Sequence, residues 1–334
     1  MKKIIPDGLN FGDEIRVIAP SRSISIINED VINKARETLE KMGFKVTFGK
    51  NVSHIENANY KCASIEDRVS DLHDAFKDKN VKCILTAIGG FNVNQLLDYI
   101  DYELIKNNPK IICGFSDITA LTNSITAKTG MVTYSGPQFF SFGMEQGLEF
   151  TIEYFKKMFM EENLKIKIES SKKWSNDSWM KNQIDRVFIN NEGMKILNDG
   201  VGMGTIIGGN LCTLNLLQGT SYMPKFKDII LFLEDDSLVP SKYYQKEFDR
   251  NLQSLIQSLC DCNIKGIVVG RSEIDSDMNL DKWKEIFYSK RELKNIKIIV
   301  DCDFGHTTPI FTFPVGGEAK IEIKNNIINF EISN

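Results

Sequence analysis

The sequence predicts an α/β protein: an N-terminal domain built on a mostly parallel sheet flanked by helices, then a smaller, β-rich C-terminal domain. Three observations predict it. Short apolar runs alternate with amphipathic segments through the first half. The rhythm breaks into polar sequence between about 160 and 200. The chain then returns to strands and helices and closes on two alternating runs. Strands alternating with helices favour a parallel sheet covered on both faces, and in such sheets function gathers at the carboxyl ends of the strands.

The elements follow in order. Arg16-Val-Ile-Ala-Pro20 reads as a buried strand ended by proline, Val31 to Met42 as a helix stopped at Gly43, and Phe44 to Phe48 as a second strand. Ile65, Val69, Leu72 and Phe76 recur at helical spacing, which predicts a helix over Ser64 to Lys77. A strand over Lys82 to Ile88 runs into Gly89-Gly90, and a short helix follows over Val93 to Ile100. Lys110 to Cys113 is a strand, and Asp117 to Lys128 a helix closed by Gly130. Lys165 to Glu169 alternates like a half-exposed strand before the polar run Ser170 to Trp179. The domains are therefore set at 1–165 and 183–334, with a linker over 166–182 that carries Trp174 and Trp179. Beyond it, Asp228 to Glu234, Gly266 to Gly270 and Ile296 to Asp301 read as strands, and Gly209 to Gln218 and Tyr244 to Leu259 as helices. Ala319 to Ile323 and Ile327 to Ile332 read as a closing hairpin, because the asparagines between them tolerate left-handed backbone.

Composition narrows the function. The 334 residues are 42% hydrophobic and 26% charged, ordinary values for a globular protein, with a net charge of −4. That balance gives no basic field for nucleic acid, and no apolar run is long enough for a membrane helix. The N-terminus has no apolar core of a signal peptide, so a cytoplasmic location is expected. Seven scattered cysteines do not suggest a disulfide framework, and Cys260-Asp-Cys262 lacks zinc spacing. No zinc site is expected from them.

Of three histidines, His54 lies in a polar loop and His73 among helix charges. His306 follows a strand that runs into the turn at Gly305, which sets an imidazole at a strand's carboxyl end. Ser116 lies where a buried strand ends and a helix begins, in Cys113-Gly-Phe-Ser-Asp-Ile118. Such a corner presents a hydroxyl beside free helix N–H groups, although serine is also a preferred N-cap there. Gly89-Gly90 ends the preceding strand and offers backbone donors for an oxyanion. No phosphate-binding G-K-[ST] follows it, and no G-x-G-x-x-G follows the first strand. Glu234, Asp235 and Asp236 end another apolar strand; any of them could orient a histidine, and the sequence leaves the choice open.

At these residues the sequence resembles the LD-carboxypeptidase family of serine peptidases (family S66), and within it the MccF-like subgroup of microcin C self-immunity proteins. The resemblance rests on several stretches in one order: Gly12 to Ser21, Ala87 to Leu97, Gly114 to Leu121, Ala127 to Pro137, Ile207 to Leu214, Gly219 to Pro224, Leu231 to Asp235 and Asp303 to Pro309. It implies Ser116 as nucleophile, His306 as base and Glu234 as its orienter. It also implies an oxyanion hole from the backbone of Gly89, Gly90 and Asp117. An α/β nucleophile domain joined to a β-rich domain that supplies the acid and base, a homodimer, and no need of a metal or cofactor are likewise implied. The turn Gly89-Gly-Phe-Asn-Val-Asn94 and the tryptophan-bearing loop are similar to the MccF-like subgroup, although Val93 departs from its usual serine. The substrate implied is an aminoacyl or peptidyl nucleotide; the family's other branch trims terminal D-alanine from a murein tetrapeptide. A peptide- or nucleotide-binding protein without catalysis is the third reading. Trp174, Trp179 and Asn210 are candidates for substrate contact. Arg22, Lys242, Arg250 and Arg271 are candidates for the substrate's carboxylate.

Overall fold

The structure is a computed structural model that describes residues 2–161 and 165–334. The first half runs β1 (Glu14–Ile18), α1 (Glu29–Lys41), β2 (Lys45–Phe48), α2 (Ile65–Lys77), β3 (Val81–Thr86), α3 (Tyr102–Asn107), β4 (Ile111–Cys113), α4 (Ile118–Thr129), β5 (Thr133–Ser135) and α5 (Glu149–Phe159). Local chemistry sets the helix starts. The Asn28 side chain accepts from the Asp30 N–H ahead of α1, and Ser64 accepts from the Asp67 N–H ahead of α2. Each helix then turns one apolar stripe inward, Val31, Ala35 and Leu39 in α1 and Val69, Leu72 and Phe76 in α2. The five strands pair in parallel in the order β2-β1-β3-β4-β5.

The second half supplies β6 (Ile166–Lys167), β7 (Lys173–Trp174), β8 (Ile189–Asn190), β9 (Lys195–Asn198), β10 (Gly200–Asn210), α6 (Leu211–Asn215), β11 (Asp228–Glu234), α7 (Ser241–Ser258), β12 (Asn263–Gly270), α8 (Leu280–Tyr288), β13 (Lys297–Cys302), β14 (Phe313–Val315), β15 (Glu318–Lys324) and β16 (Ile327–Ser333). Its main sheet has eight strands in the order β6-β16-β15-β10-β11-β12-β13-β9, with β10 to β13 parallel and antiparallel strands on both sides. The architecture is α/β with a parallel-rich sheet flanked by helices and a β-rich second part. The strand Lys165 to Glu169 is shortened to β6, which joins the second sheet; residues 162–164, next to the expected boundary at 165, lie outside the described residues.

Two features depart from expectation. Gly209 to Gln218 is not one helix: β10 extends through Asn210, and α6 covers only Leu211–Asn215. Glycines at 200, 202, 204, 208 and 209 hide this strand from propensity. It forms because β11 pairs in register with its second half and β15 with its first. In addition, β14 leaves the second part and pairs antiparallel with β5, so the last quarter of the chain completes the first sheet. The closing hairpin turns at Asn325 and Asn326, both in left-handed backbone (φ 53° and 60°).

The two sheets share their apolar interior. One buried cluster joins Val17, Leu85 and Phe139 to Phe232, Phe313 and Phe330; another joins Ile18, Leu121 and Ile125 to Ile207, Leu231 and Val269. The polar part of this joint lies between α4 and β10. Asn123 donates from Nδ2 to the Gly208 carbonyl at 2.8 Å and accepts from the Gly208 N–H at 3.3 Å. Thr119 Oγ1 accepts from the Asn210 N–H at 3.0 Å. The helix behind Ser116 is thereby fastened to the strand beside Glu234, since Asn210 is paired with Glu234 across the sheet.

Candidate active site

β4 ends at Cys113, the chain turns through Gly114-Phe-Ser-Asp117, and α4 begins. Ser116 is held at φ 61°, a left-handed conformation that costs a non-glycine residue about 1–2 kcal/mol. The capping role that a serine often takes here is unfilled, because α4 has no side-chain cap. Its hydroxyl instead meets His306 Nε2 at 3.1 Å. On the far side of the ring, His306 Nδ1 lies 2.7 Å from Glu234 Oε2. Hydroxyl, imidazole and carboxylate thus stand in one hydrogen-bonded line drawn from three distant stretches of chain.

The geometry separates the three acids. Glu234, at the buried tip of β11, reaches the imidazole. Asp235 Oδ1 accepts from Asn210 Nδ2 and from the Asp236 N–H, and Asp236 accepts from the Leu238 N–H. Burial, then the charges of Glu234 and Asp236, push the Asp235 carboxyl up to about 7. For His306, burial opposes the charged ring, but the charge and hydrogen bond of Glu234, helped by Asp236 and Glu273, outweigh it and raise the ring to about 9. The Gly305 turn makes this approach possible. Gly305 has φ +105°, and a Cβ there would stand 2.8 Å from Glu234 Oε2.

The glycine turn packs against the serine through Gly89. A Cβ built on Gly89 would stand 3.0 Å from Ser116 Cβ and 3.1 Å from its Oγ, so glycine lets the turn pack closely against the serine. The N–H groups of Gly89, Gly90 and Asp117 donate to no acceptor among the described residues. Gln138, which sequence reasoning missed, is buried and donates from Nε2 to the Phe115 carbonyl at 2.8 Å, bracing the corner. It stands just after β5, at the same sheet edge as Ser116; that position was the available signal.

Ser116, His306 and Gly89 line a cavity of about 400 Å3. Its walls carry Arg22 and Lys181, Glu273 and Asp275, and the indole of Trp179. Trp179 is buried and stacks on Phe140, ring centroids 5.6 Å apart and planes 8° from parallel. The loop that carries it is clasped in place. Arg186 Nε reaches both Asp177 carboxylate oxygens at 2.9 and 2.7 Å, and Ser175 exchanges backbone hydrogen bonds with Thr308 beside His306.

Other candidates fall elsewhere. Trp174 does not line the cavity; Arg271 sits over its ring at 4.9 Å. Arg271 is itself buried outside the cavity lining, and its Nη2 donates to Asn191 Oδ1, the Asp301 carbonyl and Asp303 Oδ1. Asn210 caps α6 and holds Asp235, and it lies outside the cavity lining. Lys242 and Arg250 are also absent from that lining, Lys242 over Tyr243 and Arg250 paired with Glu247. Among the four basic candidates Arg22 alone is a cavity residue, and its Nε donates to the Gly89 carbonyl at 2.8 Å. His54 pairs with Asp67 and His73 accepts from the Asp101 N–H; neither lines the cavity. Cys212, Asp235 and Asp236 bring possible metal-ligand atoms within 4.8 Å of one another, but Asp235 is already engaged internally.

Residues 15–136 match the LD-carboxypeptidase N-terminal domain, and residues 203–321 match the LD-carboxypeptidase C-terminal domain. The chain belongs to the LD-carboxypeptidase family. Among its relatives, YocD of Bacillus subtilis (strain 168), a carboxypeptidase by name, is 47% identical over 94% of each chain. The microcin C7 self-immunity protein MccF of Escherichia coli is 31% identical over 96% of this chain and 94% of its own. Among solved structures, an MccF-like protein from Bacillus anthracis str. Ames superposes with a TM-score of 0.96 at 50% identity, covering 99% of both chains. MccF in complex with glutamyl sulfamoyl guanosine gives 0.86 at 28% identity, covering 98% of both. No described helix of this LD-carboxypeptidase family member is long and apolar enough to cross a membrane.

Proposed function

We propose that this chain is a serine hydrolase that cleaves the amide or acyl link of an aminoacyl or peptidyl nucleotide through an acyl-enzyme on Ser116. The observation that carries this reading is the continuous line from Ser116 Oγ through His306 to Glu234, with Ser116 and His306 lining a cavity that Trp179 also lines.

His306 Nε2 takes the Ser116 proton as Oγ attacks the scissile carbonyl carbon. The carbonyl oxygen gains the negative charge, and the N–H groups of Gly89, Gly90 and Asp117 receive it. Glu234 holds the proton on Nδ1, which keeps Nε2 free to accept, and then faces the imidazolium. The imidazolium returns the proton to the leaving nitrogen as the bond to it breaks. Water, deprotonated by the same ring, hydrolyses the ester. Trp179, flat against Phe140 and largely buried, lines the cavity with the exposed part of its indole, which gives a nucleobase an aromatic surface to contact. Arg22 and Lys181 suit an anionic group of the substrate.

Relatives support the nucleotide: structures exist of MccF in complex with glutamyl sulfamoyl guanosine and with aspartyl sulfamoyl adenosine, and of an MccF mutant in complex with adenosine monophosphate. The matched family domains, named for LD-carboxypeptidase, favour a second reading, removal of D-alanine from a murein tetrapeptide. The test is turnover of glutamyl sulfamoyl adenosine beside a murein tetrapeptide by the same preparation. The first reading expects kcat/KM at least tenfold higher on the nucleotide. Preference for the tetrapeptide establishes the second reading, and turnover of neither leaves a binding protein. A homodimer working in the cytoplasm belongs to the same proposal, with sedimentation of the purified chain and cell fractionation as its checks.

A further inference from the structure

Asp117 follows Ser116 directly, yet its side chain does not line the cavity and is only 2% exposed. A buried carboxylate is costly unless donors surround it. Its Oδ2 accepts from Ser21 Oγ at 2.6 Å, from the Asn92 N–H at 3.0 Å and from the Val93 N–H at 3.1 Å. Asn92 and Val93 are the continuation of the Gly89-Gly90 turn. One oxygen of the residue next to the hydroxyl thus binds the loop that carries the oxyanion donors.

Neighbouring groups complete the strut. Ser21, the third donor, precedes Arg22, which holds the Gly89 carbonyl. Arg68, buried beneath, donates from Nη1 to the Pro20 carbonyl at 3.1 Å and to Asn92 Oδ1 at 3.2 Å, so the same two loops are tied from below. Burial pushes the Asp117 carboxyl up, while the bonds from Ser21, Val93 and Asn92 and the charge of Arg68 pull against it. Asp117 Oδ2 thus joins the Ser116 corner to the Ser21 and Asn92-Val93 loops, and Arg68 ties those two loops to each other.

We propose that the Asp117 carboxylate is a positioning residue for acyl transfer, holding the Gly89-Gly90 turn where its N–H groups meet the oxyanion formed at Ser116. The inference rests on the hydrolase reading above and adds a role for a side chain outside the cavity. It separates from simple support of the fold by what it moves. Misplaced oxyanion donors slow the chemical step and weaken a tetrahedral adduct, but leave ground-state binding as it was.

The experiment compares wild type, Asp117→Asn and Ser21→Ala. It reads kcat and KM on whichever of the two substrates the wild type turns over, affinity for AMP, affinity for an aminoacyl boronic acid that forms a tetrahedral adduct, and thermal midpoint. The expected result for Asp117→Asn is a fall in kcat of about 100-fold, with the boronate weakened by a similar factor and KM and AMP affinity within twofold. Ser21→Ala, which removes one of the donors, is expected to lose about tenfold in kcat with the same pattern. If Asp117→Asn does not fold, Ser21→Ala decides. Variants that fold and keep kcat within threefold overturn the inference, as does a parallel loss of kcat, AMP binding and thermal midpoint. A wild type that turns over neither substrate overturns the hydrolase reading and this inference with it.

Discussion

Replacing Glu234 by glutamine changes one atom type in the buried core of the site, and the structure sets the size of the effect. Glu234 is 4% exposed and its Oε2 lies 2.7 Å from His306 Nδ1. Two contributions are lost. The carboxylate can only accept, so it keeps the ring proton on Nδ1 and leaves Nε2 to accept from Ser116; an amide NH2 at the same place favours the opposite tautomer. The carboxylate also stabilises the imidazolium. Raising the ring from 6.5 to about 9 corresponds to about 3 kcal/mol, of which Glu234 is the largest favourable source. An equivalent acid-to-amide change in serine proteases lowers kcat about 10⁴-fold, or about 5 kcal/mol. Glu234→Gln is therefore expected to lower kcat by about 10³- to 10⁴-fold, with KM little changed. The assay is steady-state turnover on the better of the two substrates, with circular dichroism to show that the variant is folded. That control matters because Glu234 Oε1 has no hydrogen-bond partner among the described residues, and an unpaired amide there costs about 1–3 kcal/mol. Asp236→Asn, which touches His306 only through its charge, is expected to cost less than about tenfold. Equal effects from the two variants, or a folded Glu234→Gln within tenfold of wild type, would refute the role given to Glu234.

Further outcomes are expected. Because the His306 ring is raised in the folded state, it stabilises the fold fully below its unfolded value near 6.5, and that contribution is lost as pH rises towards about 9; the thermal midpoint of the wild type should fall across this window and that of Glu234→Gln should not. Turnover should rise over the same pH range, since only the neutral ring accepts the Ser116 proton. Ser116→Gly should abolish turnover and yet match or exceed wild-type stability by about 1 kcal/mol in thermal melts, because glycine accepts φ 61° without strain; a clear destabilisation would contradict the strained corner. Trp179→Ala should raise KM for a nucleotide substrate by about tenfold or more and leave the murein tetrapeptide unaffected, whereas Trp174→Ala, which loses its contact with Arg271, should lower the thermal midpoint with little change in KM. The reverse assignment in side-by-side kinetics would show that the wrong indole was placed against the ligand.

The legible part of the site was the part encoded locally. Ser116 and His306 each follow a strand and a glycine turn, and such corners are visible in a run of ten residues. The choice among Glu234, Asp235 and Asp236 was not legible. It depends on where β11 stops against β10 and on which side chain then faces the Gly305 turn. Arg271 misled because its partners Asn191 and Asp303 are remote in sequence, 80 and 32 positions away, so its consumption in a buried cluster leaves no local trace. β10 was hidden by its glycines, and with it the joint that sets the reacting groups in register, Thr119 and Asn123 of α4 against Gly208 and Asn210. Trp174 and Trp179 share one loop and one chemistry; only the fold puts the first under Arg271 and the second into the cavity.

Covalent chemistry at Ser116 is the step on which the proposed hydrolysis depends most directly. Wild-type protein mixed with excess glutamyl sulfamoyl adenosine, quenched in acid within the first turnover and digested, should yield the peptide containing Ser116 with the mass of one glutamyl ester added. Ser116→Ala treated identically should show neither adduct nor turnover. Wild-type turnover with no adduct at any quench time, together with undiminished turnover by Ser116→Ala, would contradict the proposed mechanism.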